Sequence, residues 1–173
     1  MKKIQKPKAI EFAPYAIMYV GLLPEDGQVL KHLKDQMKVT KEFFLSLPEE
    51  KLSYRYDEGK WTIKEILVHI IDTERIFAYR ALRTAREDRA ELPGFDQNNY
   101  VAHSGTDKRK LKEILREYES VRKATLTLFN GLERKALTRT GVANGNPISV
   151  RAAAYIAAGH ELHHLNIIKE RYL

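Results

Sequence analysis

Four stretches of this 173-residue chain repeat their apolar residues at the period of an α-helix, and none reads convincingly as a strand. The first runs from about Gln28 to Leu47 on Leu30, Leu33, Met37, Phe44 and Leu47, and Pro48 closes it. The second opens on Thr62, with Glu65 three positions on as a capping box, and runs to about Arg86. Its stripe is Ile63, Ile66, Leu67, Ile70, Phe77, Ala78 and Ala81. The third starts near Thr106 and Asp107, natural N-cap residues, and ends at Gly131. Leu111, Ile114, Leu115, Tyr118, Val121, Thr125 and Leu128 form its inner face. The fourth runs from about Ser149 to the end. Four amphipathic helices must bury their stripes against one another, so the chain is expected to be all-α: one domain over residues 1–173, a four-helix bundle.

The remaining segments are loops of expected interest. Ile10 to Leu23 is apolar and aromatic, and Pro14, Gly21 and Pro24 oppose a helix. It reads as an extended N-terminal lead-in packed across the bundle. Tyr15 and Tyr19 are candidate pocket walls, although core packing is the simpler expectation for both. Glu87 to Gly105 is a long loop between the second and third helices, and at that length a loop is often functional. Phe95, Asn99, Tyr100 and His103 are its candidates for a pocket mouth. Between residues 133 and 147, Asn144-Gly145-Asn146-Pro147 predicts a tight turn.

The chemistry concentrates in Gly159-His160-Glu161-Leu162-His163-His164-Leu165. On a wheel of ~100° per residue, Ala153, Ile156, Ala157, His160, His164, Ile167 and Ile168 share a face. That face is apolar except for the imidazoles, so it should point inward. Two inward rings four residues apart are neighbours, and each needs a buried partner. One cation serves both. A third ligand is expected from His69, on the flank of the second helix's stripe. His32 reads as a surface residue, and His163 as a rim or outer-shell group. Glu74 falls near the centre of the second helix's stripe, where a lone carboxylate is costly. It should meet a cation in a buried pair, with Arg75, Arg80 or Arg171 as partners, or serve the site.

Composition narrows the choice of chemistry. With no cysteine, the chain has no disulfide, no thiolate metal ligand and no nucleophilic thiol of its own. This fits a cytoplasmic protein. No apolar run approaches the length of a membrane span, and no secretory signal follows the basic N-terminus. The net charge of +7 permits nucleic-acid binding. The basic residues are nevertheless dispersed among acids, apart from the N-terminal tail and Lys108-Arg109-Lys110, so a solvated surface is expected instead.

The run from Lys60-Trp61-Thr62-Ile63-Lys64-Glu65 to His69, followed by Asp72-Thr73-Glu74-Arg75, resembles the second helix of the DinB-like superfamily of metal-binding four-helix bundles. Leu92-Pro93-Gly94-Phe95-Asp96, Asn144-Gly145-Asn146 and Ala158-Gly159-His160-Glu161-Leu162-His163-His164 are similar to it too, so the likeness spans nearly the whole chain. The resemblance implies one divalent metal on His69, His160 and His164, the set that the helical wheel favours. It also implies a small-molecule substrate and often a homodimer. Zinc or nickel is expected, although imidazole also accepts cobalt, iron and copper.

The resemblance implies one of two reactions, those of the family's metal-dependent hydrolases and thiol S-transferases. In one, the metal activates a low-molecular-weight thiol for attack on an electrophile, a transferase chemistry that suits a chain without cysteine. In the other, it activates water for hydrolysis. Glu74 and His163 are the candidate proton acceptors. His160-Glu161-Leu162-His163-His164 also satisfies the H-E-x-x-H pattern of zinc proteases. Ile167 and Glu170, however, stand where the extended pattern needs Gly and His, and little chain follows. A non-enzymatic binding module with a role in stress is the remaining reading.

Overall fold

The structure is a computed structural model describing residues 1–173. Its elements are α1 (Ile17–Val20), α2 (Val29–Ser46), α3 (Glu49–Leu52), α4 (Ile63–Ala85), α5 (Gln97–Ala102), α6 (Leu111–Gly131), β1 (Thr140–Ala143), β2 (Asn146–Ser149) and α7 (Val150–Arg171). The four long helices are the four expected from sequence. α4 packs on α6 and α7, and α2 packs on the same two. No helix is long and apolar enough to cross a membrane.

Local signals set most boundaries. The Thr62 hydroxyl accepts from the Glu65 backbone N–H, and the Glu65 carboxylate accepts from the Thr62 N–H. That is the capping box read from sequence. Ser149 caps α7 by accepting from the Ala152 N–H. α6 begins later than Thr106, because residues 106–108 form a separate 3₁₀ turn and the helix proper starts after Lys110.

Three segments differ from expectation. The lead-in does cross the bundle, but as short helical turns at 9–11, 14–16 and 17–20 rather than as extended chain. Pro14 is tolerated because it opens a turn, where its missing N–H costs nothing. The long loop contains α5, whose first amides are capped by Asp96. The tight turn belongs to an unexpected β1–β2 hairpin, with Asn144 at φ 51° and Gly145 at φ 70°. Those left-handed values are what a two-residue hairpin turn demands. Leu92 then joins the hairpin, donating to Val142 O at 3.0 Å and accepting from Asn144 N at 2.9 Å. The hairpin therefore fixes residues 92–95 of the loop.

The apolar core has two parts. One holds the lead-in, the C-terminal part of α4 and the N-terminal half of α7. The other holds the start of α4, Phe44, Tyr118 and the end of α7. Along α4 and α7 the buried polar side chains His69, Thr73, Glu74, His160 and Glu161 fall where one part gives way to the other.

Candidate metal centre

His69 comes from α4, and His160 and His164 come from successive turns of α7. Their ligand atoms all lie within 4.8 Å of one another. His160 Nε2 is 3.0 Å from His69 Nε2 and 3.1 Å from His164 Nε2. A neutral imidazole carries one N–H and one lone pair, so three Nε2 atoms facing one point cannot all be satisfied by each other. A cation can satisfy them all. Around a tetrahedral metal with bonds of 2.0–2.1 Å, ligand nitrogens stand roughly 3.3 Å apart, so small ring adjustments would bring this set into place. The donor set fits a divalent cation.

The electrostatics agree. Burial holds the His69 pKa down to about 4 and that of His164 to about 3. His160 is driven well below the usual range, first by burial and then by the neighbouring imidazoles. All three are therefore neutral near pH 7, with lone pairs free for a metal.

Aromatic rings wall the cluster on two sides. Trp61, just ahead of the α4 cap, has its ring centroid 4.6 Å from that of His69. The Tyr172 hydroxyl donates to Trp61 O at 2.7 Å and holds it there. Tyr19 meets His160 and His163 edge-on, at 5.3 Å each. Tyr19 reaches them because α1 lies directly on α7 at Gly159, where an added Cβ would stand 2.1 Å from Tyr19 O. Thr73 Oγ1 is 3.5 Å from His69 Nδ1, a long contact that orients the ring weakly.

A cleft of about 280 Å³ opens from His69 and His160. Tyr15, Tyr19, Phe77, Arg80, Phe95 and Asn144 are among its walls. The two tyrosines are thus pocket walls rather than core, contrary to the simpler expectation, because docking of the lead-in leaves Tyr15 56% exposed at the cleft mouth. Of the loop candidates only Phe95 lines the cleft, while His103 is exposed and bonded through Nδ1 to Asn99 O. His32 lies near the surface, paired with Asp26 at 2.8 Å.

Glu74 and Glu161 lie in a second polar cluster. Both Glu74 oxygens accept from Arg122, at 2.8–3.1 Å. Arg122 is completely buried, donates to Leu33 O at 2.7 Å and also pairs with Glu161. Glu161 further accepts from Thr40 and from the Tyr118 hydroxyl, the latter at 2.7 Å. Arg75, Arg80 and Arg171, the partners considered for Glu74, go elsewhere: to Asp72 and Glu117, to Pro93 O, and to the Tyr56 hydroxyl. Arg122 was missed because the stripe on its helix was read through apolar residues. Its spacing four after Tyr118 was the available signal. With its carboxylate occupied by these three donors, Glu161 does not serve as the base of an H-E-x-x-H protease.

Comparison with known proteins agrees with this architecture. A protein from Oceanobacillus iheyensis, named as a candidate metal-dependent hydrolase, is 31% identical over 126 residues, which is 72% of each chain. The fold is similar to that of YfiT from Bacillus subtilis, described as a probable metal-dependent hydrolase with an unusual four-helix bundle topology. The TM-score is 0.73 at 16% identity, over 84% of this chain and 85% of that one. A DinB-like protein from the same organism aligns with a TM-score of 0.59 at 18% identity, over 82% and 87% of the two chains. Residues 32–168, and with them all three clustered histidines, match the DinB superfamily, and the chain belongs to that family.

Proposed function

We propose that this protein is a divalent-metal-dependent enzyme acting on a small molecule, and that it transfers a low-molecular-weight thiol to an electrophile. The observation that carries the reading is the convergence of His69, His160 and His164, the first two of which line an open cleft. When bound, a divalent cation there would lower the pKa of a thiol or a water at its open positions. The three histidines would hold the cation, with Trp61 and Tyr19 walling the cluster and one side left open to the cleft.

The choice between thiol and water rests on the proton acceptor. No carboxylate lines the cleft, and both oxygens of Glu74 are already held by Arg122. Activation of water benefits from a positioned base, whereas a thiol ionises readily once its pKa is lowered. His163, half-buried beside Tyr19 and kept below its usual pKa chiefly by burial, is the group assigned to take up a proton at the rim. Hydrolysis is the second reading, favoured by the name of the Oceanobacillus relative.

Metal content and thiol binding test the proposal together. Protein purified without a histidine tag is expected to hold one equivalent of zinc or nickel, lost in His69→Ala, His160→Ala and His164→Ala. Reconstituted protein should consume an epoxide or activated alkene only when thiol is added. Ester cleavage without thiol would support the hydrolase instead. Failure to bind any divalent metal would remove both enzymatic readings.

A further inference from the structure

Arg80 is the only charged side chain in the cleft wall, and it is 6% exposed. A guanidinium offers five donors. This one has a single acceptor, Pro93 O at 3.0 Å from Nη2, and no carboxylate acts on it. Its carbon lies 5.2 Å from the centroid of the Phe77 ring. Its other nitrogens have no partner within the chain and are not sealed from solvent, so they open on the cleft. Arg122, the other buried arginine, has two carboxylates. What Arg80 lacks inside the protein, the cleft can deliver.

Position defines the ligand further. His69 and Arg80 are 11 residues apart on α4, which returns them to within roughly 20° of one face and separates them by about 16 Å along the axis. Arginine on a helix leans toward the N-terminus, shortening that gap. Thr73 and Phe77 lie between them on the same wall. Gln97 and Asn144 add amide groups to the cleft wall, and Asn144 reaches in beside residue 94 only because that residue is glycine, where a Cβ would stand 2.6 Å from Asn144 Oδ1.

We infer that Arg80 is a substrate-binding residue that grips a carboxylate on an elongated small molecule whose other end reaches the three histidines. The inference rests on the metal-centre reading above and adds the substrate's charge and length. Guanidinium and carboxylate match as a two-bond fork, and the neighbouring amides can take the remaining lone pairs. The carboxylate belongs either to the thiol or to the second substrate, and Arg80 recognises it in both cases.

Cobalt-loaded protein allows a test by absorption as well as by turnover. Straight-chain ω-mercapto carboxylic acids of increasing length, and their methyl esters, would be titrated against the cobalt spectrum. If the thiol carries the anion, affinity peaks at one chain length, and the acid binds roughly tenfold or more tightly than its ester there. Arg80→Gln removes that preference and leaves short neutral thiols unaffected, whereas Arg80→Lys keeps part of it. If the second substrate carries the anion, glutarate binds alongside 2-mercaptoethanol by calorimetry, and Arg80→Gln abolishes glutarate binding alone. An arginine that merely ties down the Pro93 loop would weaken acids and esters equally. That result, or no preference for acid over ester together with no glutarate binding, overturns the inference. Should no divalent metal bind, the function proposed above fails, and calorimetry with glutarate still decides the role of Arg80.

Discussion

His160 and Glu161 are consecutive residues on α7, both buried, and they belong to opposite kinds of polar site. Glu161 faces a closed cluster to which every long helix contributes: Thr40 from α2, Glu74 from α4, Tyr118 and Arg122 from α6, and Glu161 itself. There each charge meets a counter-charge or a donor, and nothing opens to solvent. His160 is one of three neutral rings that compete for too few protons, beside a cleft with an arginine that no carboxylate pairs. Polar burial that is complete within the chain serves the fold. Polar burial left incomplete beside an opening awaits something from outside.

The contrast can be broken from either side. Arg122→Met leaves two buried carboxylates facing each other and is expected to cost about 3–5 kcal/mol in denaturant unfolding. A change below about 1 kcal/mol would mean that the closed cluster is not what ties the helices together.

Acid should act on the open cluster first. His69 has a folded pKa near 4 against 6.5 for an exposed histidine. The unfolded chain therefore binds the extra proton between those values, and metal-free stability falls as pH drops from 6.5 to 4. His69 alone accounts for about 3 kcal/mol. Glu11 is raised by burial but held at about 2 by stronger hydrogen bonding from Arg151 and Ser149, so its contribution is lost only below pH 4.5. Asp72, raised by burial, acts in the opposite sense, so the difference between wild type and variant in the window from 4.5 to 6.5 is what reports the histidine. His69→Leu should flatten the curve of melting temperature against pH there, and bound metal should flatten it as well.

Gly159→Ala drives a methyl against the Tyr19 backbone, which cannot swing aside as a side chain would. A loss of 1–3 kcal/mol is typical of such overpacking. Displacement of Tyr19 should weaken substrate binding more than metal binding, as paired titrations would show. Tyr118→Phe, which removes one hydrogen bond from Glu161, is the mildest change, at about 1 kcal/mol. A larger loss would mean that Thr40 and Arg122 do not hold Glu161 without it.

What could be read in the sequence was local. The capping box at Thr62 and Glu65, the turn at Asn144-Gly145 and the i, i+4 pairing of His160 with His164 are short-range patterns, and helix geometry converts each into position. The strands were overlooked because four residues are too few to display alternation, and Leu92 supplies their third partner from far away in the chain. The closed cluster escaped because Arg122 is charged, and a stripe counted in apolar residues passes over it. Tyr19, Phe95 and Asn144 meet in one cleft wall only through docking of the lead-in and hairpin, which no local pattern encodes.

The seating of Tyr19 on Gly159 also bears on time. His69 and His160 are 91 residues apart, and Tyr19 lies further still from its seat. Closing such long loops costs entropy before any contact rewards it. The helices can begin to form from near neighbours, but the metal centre exists only once distant segments have met, and its Tyr19 wall only after α1 has settled on α7. The centre is therefore a late product of folding, ready to capture its ion from a chain that is already built.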